Sequence, residues 1–126
     1  MALITDFHHA SMIVSDTGHA LAFYRDILGL ELDETRPDLG YPGAWLNVGA
    51  YQIHLLELPN PDPVEGRPSH GGRDRHLALG VSDLDVLAAR LLAADIPHTS
   101  SRSGRRALFC RDPDGNALEF VEMTLS

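Results

Sequence analysis

The stretch His9-Ala-Ser-Met-Ile-Val-Ser-Asp16 decides the fold, because a related stretch, His76-Leu-Ala-Leu-Gly-Val-Ser-Asp83, returns about half a chain length later. Both read His-x4-Val-Ser-Asp, and a helical pattern follows each of them. An internal repeat of this kind identifies the structural unit of a fold. The repeated unit is therefore half of the chain.

Each half predicts the same order of elements. Residues Phe7 to Val14 indicate a strand, Asp16 is suited to be an N-cap, and apolar residues at helical spacing follow it. Short strands are then expected as far as Leu58. In the second half, His76–Val81 and Asp83 repeat the strand and the N-cap, with three further strands behind the helix. The pattern predicts two βαβββ modules in an α+β fold.

A segment rich in proline and glycine separates the two modules. Between Pro59 and Arg75 the chain has four prolines and three glycines, which is typical of an extended linker. We predict a single domain with module 1 at about residues 5–58, the linker at 59–75 and module 2 at about 76–124. The linker would also allow modules to pair between two subunits.

Composition excludes several functions. The net charge of −8 argues against binding to nucleic acid or to an anionic membrane surface. All ten basic residues are arginine, so no lysine is available for Schiff-base chemistry. The single cysteine, Cys110, fits a reducing compartment, and neither a signal peptide nor a membrane-spanning run is recognisable. We expect a soluble cytoplasmic protein.

Four residues are candidate metal ligands. His9 and His76 begin the two modules, and His54 and Glu119 lie in the last strand of each. Because side chains alternate along a strand, all four are expected to point away from the helices, toward a concave sheet surface. A pseudo-twofold axis between the modules would bring them together.

Three imidazoles and one carboxylate suit a divalent ion, and Zn, Ni, Fe, Co and Mn are not distinguishable from the ligands. His8 is the main rival to His9, but it should lie on the opposite strand face. We expect the remaining histidines to be exposed or structural: His19, His70 and His98. Cys110 is expected to be a small buried side chain.

The chain resembles the vicinal oxygen chelate superfamily, which includes glyoxalase I, extradiol dioxygenases and fosfomycin or bleomycin resistance proteins. Besides the two His-x4-Val-Ser-Asp stretches, the resemblance rests on segments spread over nearly the whole chain: Ala22-Phe-Tyr-Arg-Asp-Ile-Leu-Gly-Leu30, Gly43-Ala-Trp-Leu46, Ile53-His-Leu55 and Asp112-Pro-Asp-Gly-Asn-Ala-Leu-Glu-Phe120.

The resemblance implies paired modules that form a cupped, barrel-like mixed sheet with the helices outside, often as a homodimer with the site at or near the module interface. It assigns the metal to His9, His54, His76 and Glu119. Four protein ligands are similar to glyoxalase I, a lyase that isomerises a small enolisable carbonyl compound or thiol adduct. In that mechanism the metal polarises the substrate, and Glu119 would be the base that moves a proton between adjacent carbons, through a cis-enediolate.

Departures from the family pattern leave the substrate open. Ile13 and Leu58 stand where glyoxalase I has an arginine and an asparagine for glutathione. An extradiol dioxygenase would have a tyrosine at Phe109. Arg73 and Arg75 are candidates for binding an anion, or are solvated linker charges. The alternatives are an extradiol-type dioxygenase and a non-catalytic protein that binds a small molecule or antibiotic.

Overall fold

The structure, a computed structural model, describes residues 2–123; the predicted end of module 2 at residue 124 lies outside them. The first half contains β1 (His9–Val14), helix α1 (Thr17–Leu21), which continues into a π-helical segment (Ala22–Ile27), and three further strands: β2 (Glu31–Asp33), β3 (Gly43–Val48) and β4 (Tyr51–Glu57). The second half contains β5 (His76–Val81), α2 (Leu84–Ala93), β6 (His98–Ser100), β7 (Ala107–Arg111) and β8 (Ala117–Glu122). A short 3-10 helix, Gly71–Arg73, precedes β5.

Each half forms its own four-stranded mixed sheet. The strand orders are β1-β4-β3-β2 and β5-β8-β7-β6, in which the first pair of each sheet is parallel and the others antiparallel. The predicted α+β fold of two βαβββ modules is confirmed. The cupped sheet is likewise confirmed; it consists of two four-stranded sheets that do not close into a barrel.

The start of each helix follows the predicted signals. Asp16 has an extended backbone, and its carboxylate accepts a hydrogen bond from the amide of His19 at 2.8 Å. Asp83 does the same for the amide of Val86 at 3.1 Å. Aspartate is favoured at this position because it satisfies an amide that has no partner within the helix.

One hydrophobic core is shared by both halves. The apolar helix face, including Phe23 and Tyr24, packs with the inner residues of β3 and β4 and with residues of α2, β7 and β8. Leu118 and Phe120 on β8 are buried in this core. Burying these side chains on one face of each sheet leaves the opposite face for polar residues.

The turn between β7 and β8 fastens the second module to the first. Tyr24 donates a hydrogen bond from its hydroxyl to Asp112 at 2.7 Å, and the Ser15 amide donates to Asp114 at 2.9 Å. Asn116 donates to the carbonyl of Ile13 at 3.2 Å. Burial raises the pKa of the Asp112 carboxyl above its usual range, although Asn116 and Tyr24 donate hydrogen bonds to it. Nothing in the sequence pattern predicted these contacts of the Asp112–Gly115 turn with the other module.

Candidate metal and substrate site

His54 lies in the middle of a stack of three rings on the first sheet. Its imidazole is 4.0 Å from the ring of His9 on one side and 4.4 Å from the Trp45 ring on the other, with interplanar angles of 19° and 11°. The register of the strands places these rings near one another. Trp45 on β3 lies directly opposite His54, and His9 lies two residues before Ser11, the partner of His54 on β1. The structure therefore brings together the two predicted ligands of module 1.

A hydrogen-bond chain fixes the protonation of His54. Gln52 donates its amide hydrogens to Asp33 at 2.7 Å and to Asn47 at 3.0 Å, so its oxygen is left to accept from Nε2 of His54 at 2.9 Å. We infer the tautomer with hydrogen on Nε2 from this network. Burial, and next the neighbouring His9, lower the pKa of His54. A neutral imidazole with one N–H anchored is the form that binds metals.

His8 lies closer to this pair than its position in the sequence suggested. Its Nδ1 is 2.8 Å from Nδ1 of His9, and the two rings meet edge to face. We expected His8 on the opposite strand face, but β1 begins at His9. Strand alternation therefore does not govern His8.

The predicted ligands of module 2 also form a contact pair. Nε2 of His76 is 3.2 Å from Oε1 of Glu119, whose side chain is 3% exposed. Nδ1 of His76 is 2.9 Å from the carbonyl oxygen of Asp74, and a carbonyl accepts hydrogen bonds only from a donor. The hydrogen of a neutral His76 is thus on Nδ1, and the lone pair of Nε2 faces Glu119.

This contact requires either a proton or a metal ion between its two atoms. A neutral imidazole nitrogen and an ionised carboxylate oxygen are both acceptors, so at this distance they repel unless a proton or a metal ion lies between them. Arg105 donates to the other carboxylate oxygen, Oε2, at 3.0 Å. The donor set at Oε1 and Nε2 fits a divalent ion, with an N–H anchored on the far side of the imidazole as is usual for metal-bound histidine.

Within the described chain the four candidates form two separate pairs. Among residues 2–123, no three histidine, cysteine, aspartate or glutamate side chains converge well enough to hold a metal ion. His9 and Ser11 on β1 are exposed, and so are His76, Ala78 and Gly80 on β5. Each pair thus includes a histidine on an exposed strand, His9 or His76, whereas Glu119 is buried.

The other residues singled out from the sequence fall in several places. Leu58 lines a cavity that contains none of the four candidate ligands, whereas Ile13 lines both that cavity and another that contains His76. Arg75 pairs with Asp62 at 2.7 Å, whereas Arg73 lines the same cavity as His76 and Glu119. Burial raises the pKa of the Cys110 thiol to about 12, which agrees with an inert buried side chain.

His70 is the residue of this site that the sequence did not reveal. We expected it to be exposed or structural, yet it lines the cavity that contains His76 and Glu119. Its side chain is almost buried, and its Nδ1 is 2.8 Å from the hydroxyl of Thr99. A histidine in a proline-rich linker gives no periodic signal, so only the folded path of the linker could reveal it.

Comparison with known proteins identifies the class. The family model described as the glyoxalase/bleomycin resistance protein/dioxygenase superfamily matches residues 6–120. YaeR of Escherichia coli is 35% identical over 91% of this chain and 94% of its own. A lactoylglutathione lyase of Haemophilus influenzae is 30% identical over 90% of each chain. The solved structure of a lactoylglutathione lyase from Agrobacterium tumefaciens has a TM-score of 0.68 and 25% identity, with 96% of both chains covered.

This chain belongs to the glyoxalase/bleomycin resistance protein/dioxygenase superfamily. Its relatives also include a metallothiol transferase and methylmalonyl-CoA epimerases, so membership leaves the reaction open. Over residues 2–123, no helix has the length and apolar character needed to cross a membrane.

Proposed function

We propose that the protein is a divalent-metal-dependent enzyme of the glyoxalase I type, which isomerises a small enolisable carbonyl compound or thiol adduct. The observation that carries the proposal is the contact between Nε2 of His76 and Oε1 of Glu119, two atoms placed so that one divalent ion can bind to both. The ring pair His9 and His54 would supply the other two ligands. A bound divalent ion would polarise the substrate carbonyl.

Glu119 is the proposed general base. Its carboxylate is buried in β8, and Arg105 holds Oε2, which leaves Oε1 on the side of His76. Oε1 would leave the metal site to take a proton from the carbon next to the carbonyl, and would return this proton to the neighbouring carbon. The low exposure of Glu119 excludes bulk water, which would otherwise exchange with the transferred proton.

We further propose a homodimer in which the two ligand pairs meet across the subunit interface. His9 and His54 of one copy would face His76 and Glu119 of the second. Two observations support this arrangement: each pair includes a histidine on an exposed strand, and the four residues do not converge within the described part of one chain. A twofold dimer would form two equivalent sites.

The metal content of protein purified without chelator tests the proposal. We expect a stoichiometric divalent metal in the wild type and its loss in His76→Ala and in Glu119→Ala. His98→Ala is the control, because His98 is exposed on β6 and should leave the metal unchanged. Wild-type protein without stoichiometric metal would contradict the proposal and favour a non-catalytic binding protein.

Reaction assays then separate the enzyme classes. We expect hemithioacetal isomerisation with one of Fe²⁺, Ni²⁺ or Zn²⁺, and no cleavage of catechol rings. The ring of Phe109, which stands where a dioxygenase would have a tyrosine, packs edge to face against His76 at 5.1 Å and offers no hydroxyl. Ring cleavage without isomerisation would favour the dioxygenase alternative.

A further inference from the structure

The cavity beside His76 and Glu119 is lined by more positive than negative side chains. It has a volume of 350 Å³, and three arginines line it, Arg73, Arg102 and Arg105, against the single carboxylate of Glu119. The chain as a whole carries a net charge of −8. An excess of guanidinium groups at this one place indicates a site for an anion, since arginine matches carboxylate geometry.

Two of these arginines have no neutralising partner among the described residues. Across residues 2–123, neither Arg73 nor Arg102 takes part in a side-chain hydrogen bond or an ion pair. Arg105 contrasts with its neighbour Arg106, which turns outward to bind Glu122 and Asp85 at 2.9 and 3.1 Å. Arg106 is thus used for stability, whereas Arg105 is directed at the candidate base.

His70 adds a rigid hydrogen-bonding group to the cavity wall. Thr99 bonds to its Nδ1, and Phe109 packs edge to face against its ring at a centroid distance of 4.9 Å. Gly72 is required here, because a Cβ at this position would lie 2.9 Å from Nε2 of His70. Nε2 has no hydrogen-bond partner within residues 2–123, and the ring belongs to the cavity lining. This nitrogen remains available to a ligand.

We propose that the substrate carries a carboxylate, separate from its metal-binding oxygens, which binds to Arg102, Arg105 and His70 in this cavity. The inference rests on the proposed metal site and adds a substrate class to it. The carboxylate of Glu119 lies between the guanidinium of Arg105 and the imidazole of His76. A short dicarboxylic hydroxy acid could therefore bind the metal with its hydroxyl and one carboxylate, and bind Arg105 with its second carboxylate.

Malate and lactate are matched probes for this carboxylate. Both can chelate a metal through a hydroxyl and the adjacent carboxylate, and malate adds a second carboxylate. We expect calorimetric titration of the zinc-loaded protein to show malate binding about tenfold more tightly than lactate, which corresponds to roughly 1.4 kcal/mol. In Arg102→Ala/Arg105→Ala the two acids should bind equally, and Arg105→Lys should recover part of the preference.

Controls separate anion binding from other roles of these arginines. Arg25→Ala removes an exposed arginine that pairs with its neighbour Asp26, and it should keep the full preference. Zinc content and the thermal midpoint of each variant show whether it is loaded and folded. If Arg105 serves only as the counter-ion of Glu119, its replacement will weaken both acids by the same factor, and this result would overturn its assignment to the carboxylate.

The inference and the proposed function fail in distinguishable ways. Stoichiometric zinc with equal affinity for malate and lactate in the wild type would contradict the carboxylate site and leave the metal enzyme intact. Failure to take up zinc would contradict the metal enzyme, and the carboxylate site with it.

Discussion

Asp74 attaches the linker to the second sheet through a largely buried cluster of ion pairs. It accepts two hydrogen bonds from Arg67 at 2.9 and 3.0 Å and one from Arg111 at 2.8 Å, and the three side chains are 10–24% exposed. Because Arg67 lies in the linker and Arg111 in β7, this cluster fastens the linker to the second sheet. These donors, Arg67 first, hold the pKa of Asp74 well below its usual range.

We predict that Asp74→Asn lowers the free energy of unfolding at pH 7 by about 1–3 kcal/mol, because two guanidinium groups lose a largely buried partner. A lowered pKa stabilises the folded state above the ordinary range of aspartate, and this stabilisation is lost as the carboxyl is protonated. The difference between wild type and variant should therefore shrink as the pH falls below roughly 4. Urea unfolding at several pH values measures it.

Asp62→Asn is the matched control for this prediction. Asp62 also pairs with an arginine, Arg75, but the side chains are 51% and 66% exposed. Exposed pairs contribute little, so we expect a change below about 1 kcal/mol. Equal effects of both replacements would show that burial of the Asp74 cluster is not what makes it stabilising.

At the scale of elements, the repeat extends to the hydrogen bonds at the start of each helix. Glu57 at the end of β4 accepts from the amide of Thr17 at 2.7 Å, and Glu122 at the end of β8 accepts from the amide of Leu84 at 2.9 Å. The two glutamates hold the same register position opposite Val14 and Val81. Each module thus uses its last strand to complete the cap of its helix.

We predict that Glu57→Ala destabilises the fold by about 1–2 kcal/mol, because the first turn of α1 loses the acceptor for its amide and a favourable negative charge. The Thr17 hydroxyl, which also lies 3.1 Å from Glu57, loses its partner as well. Thermal or urea unfolding measures the change. Glu34→Ala removes an exposed glutamate and should stay within about 0.5 kcal/mol of wild type; a larger effect there would contradict the assignment to capping.

At the scale of the whole molecule, a complementation experiment tests whether the two ligand pairs of one metal site come from different subunits. His9→Ala/His54→Ala removes one pair, and His76→Ala/Glu119→Ala removes the other. Each variant alone should lack the metal site. Random mixing of the two in one dimer population would restore one site per heterodimer, or about one quarter of the wild-type metal occupancy.

The complementation result decides between one chain and two. Recovery of metal and of isomerase activity in the mixture, but not in either variant alone, is expected if the ligands come from two subunits. A mixture that stays empty, although mass spectrometry shows heterodimers, would contradict the intersubunit site. Monomeric wild-type protein in light scattering at micromolar concentration would contradict the dimer itself.

The sequence by itself determined the repeat, the order of strands and helices and the N-caps Asp16 and Asp83. These features are local, since they depend on spacing along the chain and on backbone amides within a few residues. It also predicted that His9, His54, His76 and Glu119 meet about a pseudo-twofold axis between the modules, whereas the structure shows two pairs, each within one module. A strand period of two places such residues on the same face.

Only the tertiary structure showed that the two sheets stay separate, that His8 and His70 approach the ligand pairs, and that the Asp112–Gly115 turn fastens one module to the other. These features depend on the path of the linker and on how the two halves pack. No periodicity along the chain predicts the path of the linker or the packing of the two halves, because the contacts join residues far apart in sequence. The cluster of arginines beside His76 and Glu119 became visible for the same reason.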